Sequence, residues 1–433
     1  MRANCVRERI SDAGKGWRVM KKAAFALLLL GITVSILSGC GPGKSDSART
    51  EITFTYGAGV QNNILYSRLI KGFEKANPDI KVKAIEIAPK FYYQKVQTLI
   101  AGNTAPDVMW MGQGFGELVA KGAFMDLDAV FKEFDSSRYY EKVVDWYRYK
   151  GHLMGFPSGI DMELLFYNKT LFDNYGIPYP NKNWNLEDMV AAARKLTMDT
   201  NGDGIIDQFG FSGLVELGLF GAGLLNSSAT ASGLDTAAAT ECLQFNIDLK
   251  KRYKVSPVWR ANGAESISEA DLFKTGKLAM HRNCTWSMED FRQGIKGFDW
   301  DICLMPYGRK KSYWASSSGL AIAAGSSHKE AAIRFLKYIV SSQGQQVLSG
   351  INLPVMKDVA EKVVRDNTGK PENIKILLDA VPYLEPYPRV PQINRIVTIW
   401  VDKVERAHAG IITARQACLE ASEEINEIIK KSD

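Results

Sequence analysis

Between residues 51 and 111 the apolar positions recur with two alternating periods. Ile52, Phe54 and Tyr56 alternate with threonines, which predicts a strand that Gly57 and Gly59 end. Ile64, Leu65, Leu69, Ile70 and Phe73 then fall on one helical face, stopped by Asn77-Pro78, and Ile80 to Ile87 resumes as a strand. A second helix carries Val96, Leu99 and Ile100, is closed by Gly102-Asn103, and leads to a strand over Asp107 to Met111. The alternation argues for an α/β protein with parallel strands and helices on the sheet faces.

Farther on, Asn185 is placed to cap a helix with Leu186, Met189, Val190, Ala193 and Leu196 at helical spacing. Ser327 to Glu330 reads as a capping box ahead of Ala331, Ala332, Phe335, Leu336 and Ile339. Ile396 to Ile429 is helical by pattern, in two or more pieces around Gly410. No internal repeat interrupts this order.

The first forty residues follow another pattern. Met20 to Cys40 has two lysines, an uncharged apolar run from Ala23 to Leu37 and small residues before a cysteine, the layout of a secretory signal peptide. The run is shorter than the ~20 residues of a membrane-spanning helix. Leu37-Ser38-Gly39-Cys40 resembles the bacterial lipobox, which implies that Cys40 is lipidated and becomes the first residue of the mature chain. Several acyl chains at ~0.8 kcal/mol per buried CH₂ anchor a protein stably. The polar leader ahead of Met20 does not fit a signal peptide, so translation is expected to begin at Met20, with residues 1–39 as the signal. Gly41 to Thr50 is small and polar, a flexible tether between lipid and fold.

Charge narrows the partners. The whole-chain net charge is +6, yet residues 40–433 hold 47 basic against 46 acidic side chains. A near-neutral mature chain carries no general field for nucleic acid or an anionic bilayer. Cys242, Cys284, Cys303 and Cys418 follow Cys40 without close spacing, so four buried free thiols are expected in preference to a single Cys284–Cys303 bridge. Nine Trp residues offer flat apolar faces with a polar handle, a surface suited to sugar rings, although core packing accounts for most of them.

Five phrases carry a family resemblance: FEKANPDIKV (73–82), the run from Tyr93 through AGNTAPDV to KGAFMDLD (ending at 128), GFPSGIDMELLFYNKTLFDNYGI (155–177), FKTGKLAMHRNCTW (273–286) and GLAIAAGSSHKEAAIRFLKYIVSSQGQ (319–345). In this order and spacing they resemble family 1 extracellular solute-binding proteins, the carbohydrate-binding lipoproteins of ABC importers. The resemblance implies a class II periplasmic-binding-protein-like fold of two α/β lobes, each a mostly parallel sheet flanked by helices, joined by crossing hinge segments. One lobe is expected from residues 51–160 and 315–370, the other from 161–314 and 371–433. It further implies a monomer on the outer face of a bacterial cell membrane that passes a carbohydrate to membrane permease subunits driven by a cytoplasmic ATPase.

Ligand candidates follow from this frame, since ligands of open α/β sheets sit beyond the carboxyl ends of the strands. Tyr56 ends the first strand, and Gln113 and Phe115 lie in the turn after the third. Trp110 sits within that third strand, where alternation leaves either Trp110 or Met111 facing the cleft. The resemblance places an acidic or polar contact at Asp161, beside the first hinge, and a stacking aromatic at Trp286; the plain alternatives are a surface aspartate and a core tryptophan. Trp314 and Ser316 occupy the return crossing, and Tyr387 and Arg389 the Pro-rich stretch EPYPRVPQIN, where rigidity alone is the competing account.

One motif stands apart. Asp199, Asn201, Asp203, Ile205 and Asp207 occupy ligand positions in the first nine places of a calcium loop, but Gly210 stands where the bidentate Glu belongs. No cofactor is required; Ca²⁺ is the candidate ion there, with Glu216 or another residue needed to complete its shell, and an Asx-turn loop is the alternative. Walker A, G-x-S-x-G and H-E-x-x-H sequences are absent, and His152, His281, His328 and His408 are scattered. An enzyme is therefore not expected. A lipid-anchored carbohydrate hydrolase, needing only two carboxylates, is the rival reading, and a non-sugar solute the other.

Overall fold

The computed structural model describes residues 49–112, 114–132, 134–257 and 268–431. The expected export signal, Cys40, most of the tether and Gln113 lie outside these residues. No described helix is long and apolar enough to cross a membrane.

The first strand, β1 (Thr50–Gly57), pairs in parallel with β2 (Ile80–Ile87) on one side and β3 (Val108–Met111) on the other. The helices Val60–Ala76 and Tyr92–Ala101 make the connections; Leu65, Leu69 and Phe73 of the first predicted stripe and Val96 of the second are buried, Ile70, Leu99 and Ile100 are partly buried, and Ile64 is exposed. A short hairpin, β4 (Arg148–Tyr149) with β5 (His152–Leu153), precedes β6 (Phe156–Pro157). The chain then crosses into a second sheet through β7 (Asp161–Asn168), whose eight residues are all buried. β7 is that sheet's spine, pairing with β8 (Met280–Cys284), β9 (Trp300–Cys303) and, at its first two residues, β10 (Tyr313–Ser316). From β10 the chain returns at once to the first sheet as β11 (Gly319–Ile322), seated between β3 and β6. β12 (Leu384–Glu385) closes the second sheet beside β10.

Each sheet has the expected mostly parallel sense, four of its five strands sharing one direction, and in each the crossing strand runs against the rest. β11 comes back from the other sheet and so runs against β3 and β6. β8, β9 and β10 all run against β7, and β12 alone is parallel to its neighbour.

Caps follow local chemistry in two of three cases. Asn185 and Asp188 form a complete capping box at the helix Leu186–Lys195. Gly410, at φ 78°, ends the helix Ile393–Ala409 before the helix Ala414–Lys430 begins. The box expected at Ser327 does not form: His328 precedes the helix Lys329–Val340 without a side-chain cap, and Ser326 and His328 turn instead to Asp107. The four cysteines after Cys40 are free and buried.

The two crossings lie side by side. Ser158 donates its N–H to the Ser318 carbonyl at 2.8 Å, and the Ser317 hydroxyl donates to the Gly159 carbonyl at 2.7 Å. Tyr147 buttresses them, donating its hydroxyl to the Ser317 carbonyl at 2.6 Å. A Cβ on Gly319 would lie 2.1 Å from the Tyr147 ring, which is fully buried. Gly319→Ala is therefore expected to destabilise the protein by about 1–3 kcal/mol, the usual cost of overpacking, seen as a lower midpoint in urea unfolding. An unchanged midpoint would mean that the crossing shifts freely.

Candidate functional site

A cavity of about 680 Å³ opens between the two sheets, at the crossings. That size suits a ligand of several rings. Its lining brings together seven residues read from the sequence: Trp110, Asp161, Trp286, Trp314, Ser316, Tyr387 and Arg389.

The second sheet and its loops supply an aromatic cluster. The Trp286 and Trp314 rings meet edge to face at 6.1 Å, and Trp314 lies 5.5 Å from Tyr387. Trp286 remains 46% exposed, which disposes of the core alternative. From the first sheet comes Trp110. Its neighbours Met109 and Met111 are fully buried while Trp110 lines the cavity, so alternation along β3 resolves in its favour. An edge contact with Tyr92 at 5.3 Å holds the indole.

Asp161 sits at the hinge, 6% exposed. The Ser318 hydroxyl donates to one carboxylate oxygen at 3.2 Å and the Thr285 hydroxyl to the other at 3.3 Å. Burial outweighs these bonds and pushes the carboxyl up to about 7. Arg389 reaches from the Pro-rich stretch to the first lobe, donating to the Gly112 carbonyl at 3.3 Å with its guanidinium 5.2 Å from the Tyr147 ring. This segment is a third connection between the lobes. A Cβ on Gly116 would lie 2.7 Å from the Val390 carbonyl oxygen, so the backbones touch there.

Two candidates belong to the core instead. Tyr56 is 2% exposed, packed 4.5 Å from Tyr66 with its hydroxyl donated to Glu86. Phe115 is 1% exposed, stacked on Phe124 and edge-on to Tyr147. At the carboxyl ends of β1 and β3 these two rings turn into the core, while the residues that follow, Gly59 to Asn62 and Gly112, line the cavity. Sequence reasoning also missed liners. Asp290 and Gln293 stand four and seven residues beyond Trp286, a spacing that puts them on its helical face. Tyr93 lay inside a family phrase, whereas Gln61 and Asn352 carried no local signal.

The calcium-like loop is organised by its own backbone. Asp199 accepts N–H bonds from Asn201, Gly202 and Gly204, Asp203 from Ile205, and Asp207 from Thr200. These bonds hold the Asp199 and Asp207 carboxyls below the usual range. Glu216, one residue considered for completing the shell, is bound to Arg282 at 2.6 Å. Elsewhere, Asp126, Asp128 and His152 bring three acidic or imidazole ligand atoms within 4.8 Å of one another. The loop has the form of successive Asx turns in which Asn201 and Ile205 take part.

The family profile described as bacterial extracellular solute-binding protein matches residues 60–346, a span holding both crossings and most of the cavity wall. The chain belongs to that family. This solute-binding protein is similar to the galactooligosaccharide-binding protein of Bacillus subtilis (strain 168), 24% identical over 432 residues that cover 94% of this chain and 97% of the relative. Among solved structures it resembles the ABC substrate-binding protein Lmo0181 of Listeria monocytogenes in complex with cycloalternan, with a TM-score of 0.80 and 26% identity over 88% of this chain and 99% of the other. The GacH receptor of Streptomyces glaucescens, solved unliganded and with acarbose, shares the two-lobed fold at a TM-score of 0.77 and 23% identity, covering 88% and 99% of the two chains. The family and these relatives are binding proteins, not enzymes.

Proposed function

We propose that this solute-binding protein captures a sugar or oligosaccharide between its lobes and delivers it, unaltered, to the membrane subunits of an ABC importer driven by a cytoplasmic ATPase. The observation that carries the reading is the cluster Trp286–Trp314–Tyr387 facing Trp110 across a cavity edged with amides, hydroxyls and Asp161. Pyranose C–H faces pack on indole and phenol rings, while the polar rim exchanges hydrogen bonds with hydroxyls. The sugars named for its relatives support the same class. Lipidation at Cys40 would hold the monomeric receptor at the outer face of the cell membrane, close to its permease; mass spectrometry of the mature N-terminus tests this, and an unmodified Cys40 would reject it.

A thermal-shift screen of mono- and oligosaccharides, with product analysis, tests the function. A bound sugar at a hundredfold excess over its Kd adds about 2.7 kcal/mol of stability. Cleavage products would favour a hydrolase, and a shift by another solute class alone would overturn the sugar reading. Trp286→Ala is expected to weaken binding by more than about 1 kcal/mol with the fold intact, since the ring is half exposed. Unchanged affinity by titration calorimetry would remove Trp286 from the ligand contacts.

A further inference from the structure

Behind the aromatic cluster, and outside the cavity lining, lies a charged assembly of one buried and two partly buried side chains. Glu163, on β7, is 0% exposed; its Oε2 accepts from Arg282 Nε at 3.0 Å, and Arg282 Nη2 donates to Glu216 Oε1 at 2.6 Å. The other Glu163 oxygen, Oε1, accepts the backbone N–H of Trp314 at 2.8 Å. The Arg282 guanidinium also lies 6.0 Å from the centre of the Trp314 ring.

We propose that Glu163, Arg282 and Glu216 are positioning residues that fix Trp314 as the central platform of the ligand cleft. The strand register gives the reason. β10 pairs with β7 through Ala315–Met162 and Ser316–Asp161, and the next rung would set Trp314 against Glu163. The ladder stops there. From Trp314 back to Tyr313, β10 pairs with β12. The Glu163 carboxylate takes the Trp314 N–H in place of a strand carbonyl, so Trp314 marks the point where β10 leaves β7 and turns its ring toward the cavity. Arg282, spanned by two carboxylates, is held beneath that ring.

Two acids on one guanidinium is an expensive choice for a buried wall, because desolvation of the charges offsets their attraction. Well-packed apolar side chains would fill the same volume at no greater cost. What they would not supply is an acceptor for the Trp314 N–H and a fixed cation under the indole.

This inference rests on the sugar-binding reading, and its test separates the two. Glu163→Gln keeps an acceptor for Trp314, while Glu163→Leu removes it and frees Arg282 on one side. In the oligosaccharide found for the unaltered protein, Glu163→Leu is expected to raise Kd at least tenfold and Glu163→Gln to stay within threefold. The ligand-free Glu163→Leu protein should also lose tryptophan near-ultraviolet circular dichroism, with far-ultraviolet signal retained. Wild-type affinity and near-ultraviolet signal in Glu163→Leu would overturn the proposal. Equal losses in both variants would overturn it too, by assigning the effect to charge. If Glu163→Leu does not fold, Arg282→Lys replaces it: the ammonium keeps the charge without the fork that joins both carboxylates, and unchanged binding there would overturn the proposal. If no sugar binds the unaltered protein, the functional reading fails, and the ligand-free spectra still decide whether the assembly holds Trp314.

Discussion

Trp314→Ala is expected to weaken oligosaccharide binding by about 2–4 kcal/mol, a thirtyfold or greater rise in Kd, the largest effect of any single change in the cleft. Trp314 stands between Trp286 and Tyr387, so its loss removes one ring face and unseats two others. It is also only partly exposed, so much of its ligand contact would be made away from solvent. Trp286, at the rim, has one aromatic partner and the smaller expected effect. Calorimetric titration of the variant against the unaltered protein checks the difference. A change under threefold, with the ligand-free melting point preserved, would show that the platform lies elsewhere.

The second large effect concerns pH. With its carboxyl raised to about 7 by burial, Asp161 in the folded, ligand-free protein keeps a proton that the unfolded chain gives up near 3.8. Its contribution to stability is thus fully present below about pH 4 and is lost as pH rises through 7. Tyr66 and Tyr147, which face it, are pushed upward by their own burial and stay neutral across that range. A sugar hydroxyl needs the opposite state, since an ionised carboxylate accepts hydrogen bonds from two hydroxyls and a neutral acid gives one acceptance away. Ligand affinity is therefore expected to rise about tenfold between pH 6 and pH 8, with proton release at the lower end. Glu163, two residues on, is also raised by burial, so Glu163→Gln serves as the control. Asp161→Asn should flatten the profile. A slope that survives in Asp161→Asn would assign the titration to another group.

The alternation of β1, the helical stripe of Val60–Ala76 and the Asn185 cap were legible because each is a local pattern with a local cause. Strand ends were harder. Tyr56 and Trp110 both looked like cleft residues, and tertiary packing separates them: Tyr56 is buried against Tyr66 and Phe54, while Trp110, touched at one edge by Tyr92, stays half-buried along the cavity. On β1 even the threonine between them is buried, so a strand covered on both faces carries no mark of which end opens. Asp161, Trp286 and Tyr387 were found through the family phrases or the Pro-rich loop, which place residues without needing their neighbours. Asn352 and Gln61 escaped because each enters the cleft through tertiary packing alone. Glu163 and Arg282 escaped for a related cause: their partnership spans 119 positions.

The place of β11 bears on how the chain is made. It is an interior strand of the first lobe, lying between β3 and β6, yet it is synthesised after the whole second-lobe segment from β7 to β10. Until residue 322 has emerged, β6 has no partner in the first sheet and β3 has an open edge. Such non-local pairing slows folding, because the long intervening loop must be closed before the contact repays it. On the export reading this delay is an advantage: the nascent protein stays threadable until its last lobe-completing strand is through, and native structure forms only on the side where the solute is met.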